Sequence, residues 1–71
     1  MDILIVGLGL MGGAYALRLS KCGHRVYGSD INENSIKFAK ANGYIIDGGI
    51  DPSPFIKKCE VIVLAIYPQA I

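Results

Sequence analysis

Six residues near the start of the chain, Gly7-Leu8-Gly9-Leu10-Met11-Gly12, have the types and spacing of a phosphate cradle. They follow directly on the apolar run Ile3-Leu4-Ile5-Val6. A strand that ends in G-x-G-x-x-G and opens a helix offers a pyrophosphate unpaired backbone N–H groups and the positive end of the helix dipole. In this reading Gly7 permits the tight turn, Gly9 lets the backbone approach a phosphate, and Gly12 lets the helix lie close to the strand. Alone, the motif is weakly specific. Asp30 adds to it. It closes the run Arg25-Val26-Tyr27-Gly28-Ser29 and follows Gly12 at close to the ~20-residue offset of an acid that accepts hydrogen bonds from an adenosine ribose. The plainer readings are a glycine turn and a helix-capping aspartate. Strand, turn, helix and acid in this order favour a dinucleotide site.

Two further positions bear on the cofactor. Ile31 stands where readers of a 2′-phosphate often carry a basic side chain, and Arg25 lies upstream, so NAD is expected over NADP. Tyr67 and Pro68 follow the last apolar run and would flank the cofactor crevice, although for Tyr67 simple packing is the competing role. The lone histidine, His24, falls in the turn before the second strand, at the wrong end of a sheet for catalysis. No catalytic residue is therefore expected within the chain. Cys22 and Cys59 are far apart, with no C-x-x-C and no histidine cluster, which disfavours a metal site and a disulfide framework and suits reduced thiols in a cytoplasmic protein.

The elements that must position these residues alternate at short spacing. Ile3–Val6 reads as a strand buried on both faces. A helix is predicted from about Leu10 to Cys22, with Leu10, Gly13, Ala14 and Leu17 as its buried stripe and Gly23 as its stop. Arg25–Ser29 forms the second strand, and Asn32 caps a second helix whose short apolar face is Ile36 and Ala39. Asn42-Gly43 ends that helix. Tyr44-Ile45-Ile46 reads as a brief third strand, followed by a turn at Asp47-Gly48-Gly49. Asp51-Pro52 or Ser53-Pro54 opens a short helical segment through Lys58, and Val61–Ile66 forms a second continuous apolar strand. This β-α-β-α-β-(α)-β order predicts a doubly wound α/β fold of Rossmann type, a parallel sheet with flanking helices that stops after its fourth strand. In that order the first and fourth strands are neighbours, and the cofactor crevice opens at their carboxyl ends.

Composition sets the outer limits. Seventy-one residues make at most one small domain, which buries only about 60% of its unfolded surface. Yet 52% of the residues are hydrophobic, an excess that suggests surface meant to be covered. The outer edge of the fourth strand is the expected place, and the isolated piece is expected to associate or to be marginally folded. The net charge is +1 with both signs interspersed, so there is no basic stripe for a nucleic acid. Residues 2–17 are apolar but broken by four glycines, Tyr15 and Asp2, without a basic leader, which disfavours a signal peptide or a membrane span.

The string Ile5-Val6-Gly7-Leu8-Gly9-Leu10-Met11-Gly12-Gly13 resembles the opening of prephenate dehydrogenases, where GLGLIGGS is typical. Gly28-Ser29-Asp30 resembles their G-x-D at the second strand, Asp47-Gly48-Gly49 matches a glycine turn of some members, and Val61–Ala70 looks like the end of their fourth strand, with its Tyr-Pro. The resemblance spans essentially all of the chain. Gly13 and Tyr67-Pro68 narrow it, and Ala14 departs from it, since serine is frequent there. It implies the N-terminal part of an NAD-binding domain in a larger cytoplasmic enzyme. That enzyme would be a homodimer that oxidatively decarboxylates prephenate to 4-hydroxyphenylpyruvate with NAD, for tyrosine synthesis. The family's catalytic histidine and substrate-binding arginine would lie downstream, in a substrate domain absent from this chain. The 71-residue piece alone is then expected to be inactive.

Other resemblances compete. Nothing within the chain separates prephenate from arogenate dehydrogenase. Gly7-Leu8-Gly9-x-Met11-Gly12 with Gly23-His24-x-Val26 also resembles 3-hydroxyisobutyrate and 6-phosphogluconate dehydrogenases, against which Gly13 and Ile31 lean. A non-enzymatic NAD-sensing regulatory domain of potassium-transport systems shares strand, fingerprint and acid, but Tyr67-Pro68 does not match it.

Overall fold

The computed structural model describes residues 1–8 and 10–65, and for residues 10 and 11 the backbone alone. Among the described residues four strands and three helices alternate: β1 (Asp2–Val6), α1 (Leu10–Lys21), β2 (Arg25–Ser29), α2 (Glu33–Ala41), β3 (Asp47–Gly49), α3 (Ser53–Ile56) and β4 (Val61–Leu64). The sheet order is β3-β2-β1-β4, and every pairing is parallel. Ile3 pairs with Val26 on one side and with Val61 on the other. The expected neighbours, the first and fourth strands, are therefore side by side.

Strand alternation divides the core in two. Ile3 and Ile5 of β1 join Val26, Leu8, Ala16, Ile36, Ala39 and Ile45 under α1 and α2. Leu4 points the other way and meets Tyr27 and Phe55, with Val6 and Cys59 packed against them. Tyr27 and Phe55 stack at 5.6 Å between ring centroids, and the Lys58 ammonium lies 4.8 Å from the Tyr27 ring. This second core is thin. On its side Ile62 and Leu64 of β4, in register with Leu4 and Val6, stay exposed.

Three expectations need correction. The third strand is not Tyr44–Ile46 but Asp47–Gly49, the segment read as a turn. Tyr44 donates its N–H to Ala39 O (2.9 Å) and belongs to the exit from α2, while Ile45 is buried. The Ile46 N–H then reaches Val26 O at 2.8 Å, and the ladder proper starts one residue later. Gly48 lies opposite Gly28, so close that a Cβ on Gly48 would come within 2.5 Å of Gly28 O. Glycine serves packing there, not turning.

The second correction concerns the buried stripe of α1. The face against the sheet carries Gly12 and Ala16, with Leu19 packed on the core. Gly13 and Leu17 are half-buried and Ala14 is exposed. With Leu8, Phe38 and Tyr44 they line an apolar groove of about 720 Å3 between α1 and α2. The close approach of Gly12 to the end of β1 sets the rotation of the helix and turns Gly13, Ala14 and Leu17 sideways, while the side chain of Leu10 lies outside the described residues. α3 is also shorter than the segment expected to reach Lys58.

Candidate functional site

β1 delivers the chain to the carboxyl end of the sheet, where it must turn at once into α1. Gly7 makes that turn with φ of 99°, a left-handed conformation that side chains resist. Its N–H donates to Ser29 O at 2.7 Å, which ties the turn to the last residue of β2. One residue on, the Leu8 N–H donates to Asp30 Oδ2 at 2.7 Å. The other oxygen of that carboxylate, Oδ1, accepts the Asn32 N–H at 2.9 Å. Asp30 is thus held from both sides by backbone, half-buried, at the mouth of the turn.

Gly12 permits the approach of α1. A Cβ there would overlap the Gly7 carbonyl oxygen and come within 2.8 Å of the Gly7 carbonyl carbon. It would also lie 3.5 Å from Ala65 Cβ, just past β4. The N-terminus of α1 therefore sits between the carboxyl ends of β1 and β4. This is the point where the chain's crossovers diverge, β1 leading to β2 on one side and β3 to β4 on the other. The first turn of α1 holds no acidic residue, while Arg18 and Lys21 stand in its last turn. Its field at the N-terminus is open to an anion.

The structure brings together Gly7, Leu8, Gly12 and Asp30 of the residues expected to bind cofactor. Leu10 and Met11 are the first two residues of α1. Ile31 adjoins Asp30 with 91% of its surface in water, an apolar side chain beside an acid. Gly9, Tyr67 and Pro68 lie outside the described residues, as does Ile66 at the end of the expected fourth strand. His24 precedes β2 and so sits at the opposite end of the sheet from the turn. At that end the Arg25 guanidinium, hydrogen-bonded to Asp2, holds that carboxyl below its usual range. Cys22 is exposed, and burial pushes the half-buried Cys59 thiol up. Among the described residues no group of His, Cys, Asp and Glu could hold a metal ion. No described helix is long and apolar enough to cross a membrane.

The site fits a dinucleotide on its own geometry. The space a Cβ would fill at Gly12 is taken up by the turn itself, so helix and turn close on one another. A carboxylate has about four lone-pair directions, and the two backbone donors leave Asp30 capacity for hydroxyls. Sequence reasoning missed what Leu8 does. Its side chain, only 6% exposed, packs over Gly28: a Cβ on Gly28 would meet Leu8 Cδ1 at 2.7 Å and Cδ2 at 2.9 Å. The available signal was a lone glycine within an otherwise strand-like run, which marks close approach.

A family profile described as the NAD binding domain of 6-phosphogluconate dehydrogenase matches residues 2–70. The chain belongs to this NAD-binding domain family. Among solved structures, the domain is similar to the arogenate dehydrogenase of Synechocystis, with a TM-score of 0.91 and 30% identity over 100% of this chain and 25% of that one. It is also similar to the prephenate dehydrogenase of A. aeolicus, solved with hydroxyphenyl propionate and NAD+, with a TM-score of 0.79 and 35% identity over 90% of this chain and 23% of that one. The chain thus spans about a quarter of the length of these relatives. No curated protein matches it. The fold, the resemblance to prephenate dehydrogenases and NAD as the cofactor class are borne out by these likenesses.

Proposed function

We propose that this NAD-binding domain is the N-terminal part of a cytoplasmic, homodimeric dehydrogenase that oxidises prephenate or arogenate and serves tyrosine synthesis. A separate substrate domain would supply the catalytic groups, and residues 1–71 would bind NAD without turnover. The observation that carries the reading is the Asp30 carboxylate, fixed on the Leu8 N–H beside an acid-free helix N-terminus at the switch point of the sheet. Gly7, Leu8, Gly9, Leu10, Met11 and Gly12 would surround the pyrophosphate. Asp30 would accept the hydroxyls of the adenosine ribose, Ile31 would offer an apolar surface next to it, and Tyr67 and Pro68 would flank the crevice. The cofactor, when bound, supplies a hydride acceptor. The residues of this chain bind and orient it.

The test is calorimetric titration of the protein with NAD and with NADP. NAD is expected to bind, and NADP to bind more weakly, because a 2′-phosphate would face the Asp30 carboxylate. Equal or tighter binding of NADP overturns the role of Asp30, and binding of neither cofactor overturns the reading as a whole. The family profile's description favours a second reading, a 6-phosphogluconate-type dehydrogenase. Assays of the enclosing reading frame with prephenate, arogenate and 6-phosphogluconate separate the two.

A further inference from the structure

Three contacts join the glycine turn to the end of β2. The Gly7 N–H donates to Ser29 O, the Leu8 N–H donates to Asp30 Oδ2, and the Leu8 side chain fills the space above Gly28. All three come from one tripeptide, Gly28-Ser29-Asp30, and all three grip the same two residues of the turn. Ser29 is itself locked, with its Oγ donating to Ile50 O at 3.2 Å and only 2% of its surface exposed.

We propose that Gly28-Ser29-Asp30 is a clamp that sets the shape of the Gly7-Leu8 turn before any ligand arrives, with Asp30 a positioning residue for the phosphate cradle as well as a ribose ligand. The chemistry of the carboxylate makes the role specific. Two backbone donors address two different oxygens of Asp30. A carboxylate accepts both. An asparagine offers one acceptor oxygen and one NH2 donor. Whichever way its amide is turned, the NH2 confronts either the Leu8 N–H or the Asn32 N–H. Gly28 adds a softer contact to the same residue of the turn. The atoms that a Cβ would strike are the tips of Leu8 and of Ile45, the latter at 3.1 Å, so a methyl group at 28 must displace the side chain that anchors the turn. An exchange of Asp30 made to admit NADP would then also remove the acceptor of the Leu8 N–H.

The proposal rests on the reading of the turn as a pyrophosphate cradle, and the experiment keeps the two apart. The probe is an NAD analogue whose adenosine ribose lacks both hydroxyls. It cannot use Asp30 as a ribose ligand. Binding of this analogue to Asp30→Asn is expected to be about tenfold weaker than to the parent protein, the loss of one charge-assisted backbone contact. Equal binding to both proteins would make Asp30 a ribose ligand only and overturn the clamp. The second readout needs no ligand: amide hydrogen exchange at Leu8. Its amide is expected to be protected in the parent protein and to exchange faster in Asp30→Asn, while the amides of Ile5 and Val26 keep their protection. An unchanged Leu8 amide overturns the proposal. If neither NAD nor the analogue binds the parent protein, the cofactor reading fails while the exchange result still decides on the clamp. Should Asp30→Asn not fold, Gly28→Ala carries the same two measurements with the carboxylate in place. Faster Leu8 exchange is expected there, and no change refutes the clamp.

Discussion

A methyl group at residue 12 has nowhere to go. The neighbouring atoms are backbone, the Gly7 carbonyl oxygen and carbon, and not the yielding end of a side chain. Relief requires that α1 move off the strand. Gly12→Ala is therefore expected to destabilise the protein by about 1–3 kcal/mol or more, the usual range for overpacking. Gly13→Ala serves as the control, since the nearest atoms to its added Cβ lie at 3.9 Å. Urea denaturation of the two variants decides the point. Similar midpoints for both would mean that the contact at Gly12 is not a constraint. The glycines and Asp30 were legible in the sequence because their chemistry is tied to fixed offsets along the chain. The partnership of Leu8 with Gly28 was not, because it depends on two segments that meet only after β1 and β2 have paired.

At the level of elements, α2 shows how local chemistry places a helix. Asn32 has extended backbone, and its side chain accepts the Asn34 N–H at 2.9 Å. Glu33 stands in the first turn and Lys40 in the last, each at the end of the dipole that suits it. Asn32→Ala is expected to cost about 1 kcal/mol, the typical loss for an N-cap, and a fall in thermal midpoint by calorimetry would register it. An unchanged midpoint would show that the Asp30–Asn32 contact alone suffices to start the helix. Elements of this kind are readable from sequence, as are β1 and β4 with their continuous apolar runs. β3 was not. Its Asp47-Gly48-Gly49 has turn chemistry, and only the ladder to β2 and the buried Ile45 make it a strand. The face of α1 was misread for a related reason. Glycine and alanine occur on both sides of this helix, so hydrophobic periodicity does not choose between them, and the contact of Gly12 with Gly7 does.

Over the whole molecule the two cores are unequal. The larger links β1 and β2 to both long helices, while the smaller depends on Phe55 from a single helical turn. β1 lies between β2 and β4, and these two partners lie at very different distances along the chain. Val26 comes soon after Ile3, whereas Val61 comes more than twice as far on. That register has a kinetic meaning. Each doubling of a closed loop adds only about 0.6 kcal/mol, but the longer loop must be closed before its contacts repay it. The β1-α1-β2 unit should therefore assemble in the rate-limiting step and β4 should zip on afterwards. Stopped-flow chevrons would reveal the order. Val26→Ala is expected to slow refolding, whereas Val63→Ala, opposite Ile5 on the late strand, is expected to speed unfolding and leave refolding nearly unchanged. The reverse pattern would mean that the most distant pairing in the sheet nucleates the fold, and that the molecule is built from its far end inward.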